Sequence, residues 1–481
     1  MINRPRRAFL GGALLSLAAS PFVTLAGCAS RLSSEFVIVG SGPAGISLAD
    51  HLAQSGRQVL VLEGGTRQMS PEMQAMHTVE PGRWGLPYEV GGATQRLLGG
   101  TSNRWQSHSP RPVEAELTSF SQRGFAQDWP VTLAELSPWL QRAEQWLRVR
   151  PASPAMNPAL PVNPFISSSA ALRRHLAEAG YQHMEAGAYG MVAKEGIDPL
   201  RLLEDGEIDR VAAKQTVVIR PATTVRQIRM QGRRAAELVC ADAEGRPLIV
   251  EAGTVIVCGG VVQTPRLLWN SGAIGNHGDW LGAGFMEHPG MQLYGRRQSP
   301  LLPHDAGETQ LHVRDMLYHP DTAGIGGALL HVGLMAGSGN TEFIVVEMMF
   351  EQAPDRLNRI MPGRKVDAFG DPLARLDYRL SSLDQRTLVN GKAMQQALAE
   401  ALGRIDRHSP LRGGSHHLCG TTRMSRDPDE GVVDADLRVW GTDNLYLLGS
   451  NVFPTSMTVP PTLVVVALAL RLAARWSDGG A

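Results

Sequence analysis

Gly40-Ser41-Gly42-Pro43-Ala44-Gly45 is a glycine-spaced turn of the kind that holds a dinucleotide. Gly40 permits the tight turn, Gly42 lets a pyrophosphate approach the backbone, and Gly45 lets the following helix pack closely on its strand. Pro43 and Ala44 open that helix, whose first amides and positive dipole end favour phosphate. Glu63 is placed to accept hydrogen bonds from an adenosine ribose. NAD and FAD both satisfy this much.

The elements around the turn have the right order. Phe36-Val37-Ile38-Val39 reads as a short buried strand, and Ile46 to Ala53 reads as a helix. Val59-Leu60-Val61-Leu62 is a second strand, closed by Glu63. A glycine pattern alone is weak; inside a strand–turn–helix–strand unit it becomes specific.

The chain of 481 residues has room for two or more structural units. Its 43% hydrophobic and 19% charged content is that of a globular protein. Lys plus Arg and Asp plus Glu both total 46, so the basic footprint of a nucleic-acid binder is absent. Cys28, Cys240, Cys258 and Cys419 form no CxxC pair, metal spacing or CxxCH haem site. Neither a disulfide framework nor a metal is expected.

The N-terminus reads as an address. Arg4, Arg6 and Arg7 precede an uncharged run from Ala8 to Cys28. Arg6-Arg7-Ala8-Phe9-Leu10 resembles a twin-arginine export signal, which carries proteins already folded. Leu25-Ala26-Gly27-Cys28 resembles a lipobox, in which Cys28 becomes the lipidated first residue. An uncleaved anchor is the other reading, although Pro21 disfavours an uninterrupted helix. The expectation is an exported, periplasmic protein tethered to the membrane. The apolar run from Leu463 to Leu472 is too short to span a bilayer.

Further blocks narrow the reading. Leu98-Gly99-Gly100-Thr101-Ser102-Asn103-Arg104-Trp105 is a second glycine-rich loop, and Val255 to Leu268 repeats strand, glycine turn and helix. Near the end stand His416-His417-Leu418-Cys419-Gly420-Thr421, Gly431-Val432-Val433-Asp434 and Asn444 to Thr455. In this order they resemble the glucose–methanol–choline (GMC) family of FAD-dependent oxidoreductases, from about Phe36 to Trp476. Trp129-Pro130, Met286-Glu287-His288-Pro289-Gly290 and Glu351-Gln352-Ala353-Pro354 are similar to its bacterial sugar- and alcohol-dehydrogenase branch.

The resemblance implies an α/β fold: a Rossmann-like FAD-binding domain with an antiparallel-sheet substrate domain. Residues 1–30 would be the signal, 31–287 most of the FAD domain, 288–410 the substrate domain, and 411–481 a return to the FAD domain. The cofactor implied is FAD rather than NAD. Gly40, Gly42, Gly45 and Glu63 would hold its ADP half, and the backbone of Val225 would meet the adenine. Gly99, Gly100, Thr101 and Asn103 would pass beside the flavin; Gly449, Pro461 and Thr462 would close over its ring.

The implied reaction oxidises an alcohol or sugar hydroxyl, with hydride passing to flavin N5. His417 is the implied base, histidine being the side chain whose pKa suits proton removal near neutrality. His416 would be structural or pocket wall, and His288 structural. A quinone or a separate cytochrome would take the electrons outside the cytoplasm, though no residue excludes oxygen.

Two positions depart from the family pattern. Arg104 stands where some relatives carry a flavin-linking His, so non-covalent FAD is expected, with Arg104 either near the flavin or in a salt bridge. Pro460 stands where the family places a second polar residue, Asn or His, and proline offers no N–H and no polar side chain. Thr458 or Thr462 would then supply a hydroxyl, or His417 would act with less help, or the reaction would differ. An oxidase or desaturase of a larger natural product is one alternative; a non-redox flavin lyase or binding protein, suggested only by Pro460, is another.

Overall fold

The computed structural model describes residues 30–84, 90–153, 156–190, 202, 206–303 and 305–477. The export and lipidation readings, Cys28 included, lie outside these residues.

The expected first strand is longer than its apolar core, running Ser30–Val39. It pairs in parallel with Val59–Leu62 on one side and Pro247–Val257 on the other. Phe36, Val37 and Ile38 are buried, as continuous apolar runs are in parallel sheets. Val217–Arg220 adds a further parallel strand beyond Val59–Leu62. Pro247–Val257 changes partners along its length. Its start pairs antiparallel with Arg234–Ala241, and its end, Val255–Val257, pairs in parallel with Leu445–Leu447. The result is a seven-stranded sheet.

This topology positions the site. Ser30–Val39, Val59–Leu62, Pro247–Val257 and Leu445–Leu447 all end at one edge, so Gly40, Glu63, Cys258 and Gly449 emerge together. Ligands of such sheets bind outside the carboxyl ends of the strands.

The glycine turn feeds the helix Pro43–Gln54, with proline in its first turn. Thr462–Ala473 packs against that helix and against Leu133–Trp146. Almost every residue of Thr462–Ala473 is buried, which explains an apolar run without an amphipathic period. Among the described residues no helix is long and apolar enough to cross a membrane. Trp129 ties these parts together: its indole N–H donates to Thr455 Oγ1 at 2.8 Å, and its ring packs on Phe453.

The second unit is a six-stranded antiparallel sheet. Its order is Arg404–His408, Gly290–Arg297, Glu342–Phe350, Ala328–Ala336, Glu308–Val313, Met184–Ala186. Met184–Ala186 joins from well before residue 288, because its backbone completes the free edge of Glu308–Val313. The helix Ser382–Leu402 packs against this sheet, begun by a capping box of Ser381 and Asp384. Buried Gln395 pins it, donating to the carbonyls of Met291 at 3.0 Å and Val346 at 2.8 Å. Cys240, Cys258 and Cys419 are free and buried.

Candidate active site

A cleft of about 480 Å³ opens at the carboxyl edge of the parallel sheet and runs toward the antiparallel sheet. The first-turn glycines do different work there. A Cβ on Gly45 would lie 2.0 Å from the carbonyl oxygen of Gly40, so only glycine lets helix and strand approach. A Cβ on Gly42 would meet nothing within 4 Å; that face is open to the cleft. Gly42 supplies no side-chain cap, so the first helical amides remain for an anion.

Ser41 binds three segments together. Its hydroxyl donates to Glu63 Oε2 at 2.7 Å and accepts from the Gly99 amide at 3.1 Å. The Ser41 amide donates to the same Glu63 oxygen, and the Gly65 amide to the other. Glu63 therefore reaches the cleft with its orientation set by the chain. Gly99 and Gly100 take φ of 84° and 54°, the left-handed region that favours glycine. A Cβ on Gly100 would stand 3.2 Å from Gly42 Cα, so the two loops pack face to face.

Pro43, Ala44, Thr101, Val225, Gly449, Pro461 and Thr462 line the cleft with Gly40, Gly42, Glu63 and Gly100. Asn103 does not; its amide nitrogen donates to the carbonyls of Leu98 and Gly100 and holds the loop from behind. Gly45 and Gly99 likewise shape the wall rather than line it. Gln95 Oε1 and Gln263 Nε2, on cleft-lining residues, are buried polar atoms with no partner among the described residues. Side-chain-free faces, free helical amides, an oriented carboxylate and unpartnered amides fit an adenine dinucleotide. Arg104 also lines the cleft and donates to the carbonyl of Gly92 at 2.7 Å. It makes no salt bridge among the described residues.

The residues around His288 and those around His417 are joined across a short antiparallel contact. Met286 and Cys419 exchange both backbone hydrogen bonds, as do Gly290 and Arg412. Buried Glu287 accepts the amides of His288 and Ser415, and the Ser415 hydroxyl donates to the His288 carbonyl. His416 takes a φ of 63°, kinking the chain just before His417. His416 and His417 both border the cleft.

His288 Nδ1 and His417 Nδ1 lie 3.1 Å apart. His288 Nε2 faces the carbonyl oxygens of Ser456 at 3.1 Å and Met457 at 2.9 Å. Carbonyls only accept, so the proton of neutral His288 belongs on Nε2. Its Nδ1 is then an acceptor, and His417 must donate from Nδ1. This leaves the lone pair of His417 on Nε2. Burial holds His288 down at about 4. Burial first, then His288, His108, His416 and Arg412, push His417 well below the ordinary imidazole value. No signal in the sequence joins His288 to His417.

Pro460 lines the cleft, with Pro461 and Thr462 beside it. The structure does not bring Thr458 to the cleft. Its amide and hydroxyl both donate to Glu116 Oε1, at 2.7 and 2.6 Å, inside the core. Glu116 is buried and unforeseen: it also accepts from the Val113 amide and from Arg314. Of the two threonines, only Thr462 stands at the cleft, and its hydroxyl makes no hydrogen bond among the described residues.

Residues 92–290 and 358–469 match family models described as GMC oxidoreductase, and residues 38–91 match an NAD(P)-binding Rossmann-like domain. The chain is 26% identical to 6'''-hydroxyparomomycin C oxidase of Streptomyces lividus, covering 91% of this chain and 90% of that one. It is 22% identical to the fructose dehydrogenase large subunit of Gluconobacter japonicus, covering 92% and 97%. The fold is similar to that of pyridoxine 4-oxidase from Mesorbium loti, with a TM-score of 0.66 at 20% identity over 92% of this chain and 99% of that one.

Proposed function

The chain belongs to the GMC oxidoreductase family, and from that membership we propose that it oxidises an alcohol or sugar hydroxyl to a carbonyl with non-covalent FAD and His417 as base. The observation that carries this reading is the His288–His417 contact at the cleft, which leaves His417 Nε2 as the proton acceptor. Relatives named for fructose and for hydroxyparomomycin C support a hydroxyl-bearing substrate.

Gly40, Gly42, Glu63 and Gly100 would hold FAD, and Thr101 and Thr462 line the same cleft. Bound there, it supplies the hydride acceptor. The chain's own residues handle the proton. His417 is neutral at working pH because burial and its neighbours disfavour the imidazolium. Nε2 takes the hydroxyl proton as the C–H bond breaks. The cation so formed keeps its Nδ1–H on His288 Nδ1, while the Ser456 and Met457 carbonyls hold His288 in the accepting tautomer. Thr462 stands on the Pro460 wall and takes the place of the missing polar partner by donating to the substrate oxygen.

The decisive experiment is an anaerobic panel of alcohols, sugars and glycosides read at the flavin absorbance. One class should bleach the flavin. A yellow protein that binds such ligands yet is never reduced defeats the reading.

Residues 1–28 support the further proposal of an exported, lipid-anchored enzyme that passes electrons to a quinone or a separate cytochrome. Cys28→Ala should release the protein from membranes; wild-type protein recovered wholly soluble would count against the anchor.

A further inference from the structure

His108, His312 and His331 converge where the cleft meets the antiparallel sheet, with one ligand atom of each within 4.8 Å of the others. They come from far apart. His312 and His331 are direct cross-strand partners on Glu308–Val313 and Ala328–Ala336. His108 comes from the loop after Gly100–Arg104, fastened there by a bridge to Tyr189, and lines the cleft. Ring centroids lie 4.9 Å apart for His108 and His331, and 5.2 Å for His312 and His331.

The hydrogen bonding of this cluster is incomplete. His312 is fully buried, and among the described residues neither of its ring nitrogens has a hydrogen-bond partner; His331 Nδ1 is buried and unpartnered among them too. Buried polar atoms are normally paired, and three imidazoles cannot pair one another fully from these positions. Carboxylates flank the row without filling it. Glu185 pairs with His312 in the sheet register and Glu347 with His331. Glu185 Oε1 is 3.8 Å from His312 Nδ1. Each carboxylate is already bound to an arginine, Arg314 and Arg412 respectively.

We propose that His108, His312 and His331 form a mononuclear site for a zinc-class divalent transition-metal ion, with its fourth position open toward the cleft. Imidazole nitrogens suit zinc and its neighbours, and three histidines with one open position is a recurring zinc geometry. Ligand atoms on a tetrahedral zinc stand about 3.4 Å apart, so modest ring movements close the site. Such an ion would tie the cofactor loop to the substrate sheet and offer an oxygen-binding position beside the substrate. Sequence spacing could not reveal it, since the ligands are joined only by the sheet register and a crossing loop.

The test uses the full flavin-loaded chain without substrate, so it stands apart from the hydride-transfer reading. After chelator treatment and equilibrium dialysis against zinc, metal content is measured by atomic emission. One zinc per chain is expected in wild type and in His417→Ala. His312→Phe and His331→Phe should each weaken binding at least 100-fold with the flavin spectrum kept. If these core variants fail to fold, His108→Ala, in the cleft-lining loop, makes the same measurement. Wild type that retains no stoichiometric zinc overturns the site. So do cluster variants that bind as wild type, or binding lost only in His417→Ala.

Discussion

His288 Nδ1 stands 3.1 Å from His417 Nδ1, and the far side of His288 is held by two backbone carbonyls. A buried residue that never borders the cleft thereby decides which nitrogen of the cleft-facing histidine carries a proton. His417→Ala should lower kcat by about 10²- to 10⁴-fold with flavin still bound. His288→Asn should lower kcat by about 10- to 100-fold and leave KM within a few-fold, as partners that orient a reacting group do. Steady-state kinetics on flavin-replete protein checks both; unchanged kcat in His288→Asn would remove its positioning role.

The pH profile follows from the direction of the shift. The proposed base must be neutral, and His417 is pushed below the usual 6.5 by burial and by His288, His108, His416 and Arg412. Neutral His417 is lost only when pH falls through that lowered value. The acid limb of kcat/KM should therefore lie below pH 6.5. An inflection at or above 6.5 in the wild type contradicts the assignment.

The two threonines should separate cleanly. Thr462→Val should reduce kcat by roughly 10-fold with little change in stability, through loss of one hydrogen bond to the reacting oxygen. Thr458→Val should destabilise the fold by about 1–3 kcal/mol, because Glu116 loses a donor in the core. Kinetics and denaturant unfolding of the pair distinguish the roles.

Ser41→Ala removes the link from Glu63 to the Gly99 loop and should weaken flavin binding by roughly 10-fold, about 1.4 kcal/mol. Gly45→Ala should give flavin-free or unfolded protein, since its Cβ meets Gly40 oxygen at 2.0 Å. Acid precipitation of wild type should release the flavin into the supernatant. Yellow pellets would show a covalent link.

Arg123 and Glu351 form a buried pair at 2.8 Å, with Glu351 also accepting the Gly327 amide. Burial already raises the Glu351 carboxyl. Arg123→Met should cost about 3–5 kcal/mol of stability by leaving that carboxyl without its cation. Urea unfolding measures it, and a loss under 1 kcal/mol would show the pair to be dispensable.

Much of the cofactor cradle was legible in the chain. The apolar run Phe36–Val39, the glycines at 40, 42 and 45, and Val59–Leu62 with Glu63 are neighbours in sequence, and each acts through local geometry. Backbone turns, close approach and helix starts depend on residue type over a few positions, so the pattern alone identified a dinucleotide turn. The later blocks added the family and, with it, the antiparallel sheet.

What tertiary structure alone decided concerns contacts between distant segments. Whether Thr458 or Thr462 faces the cleft depends on Glu116, which reaches the loop from another element. His288 reads as structural in the chain and becomes the partner of His417 only through the Met286–Cys419 bridge. His108, His312 and His331 have no common spacing, and strand register together with a crossing loop collects them. Sequence carries what a residue can do and how its near neighbours bend. Which nitrogen is left to accept a proton is settled by hydrogen-bond partners that folding brings from elsewhere.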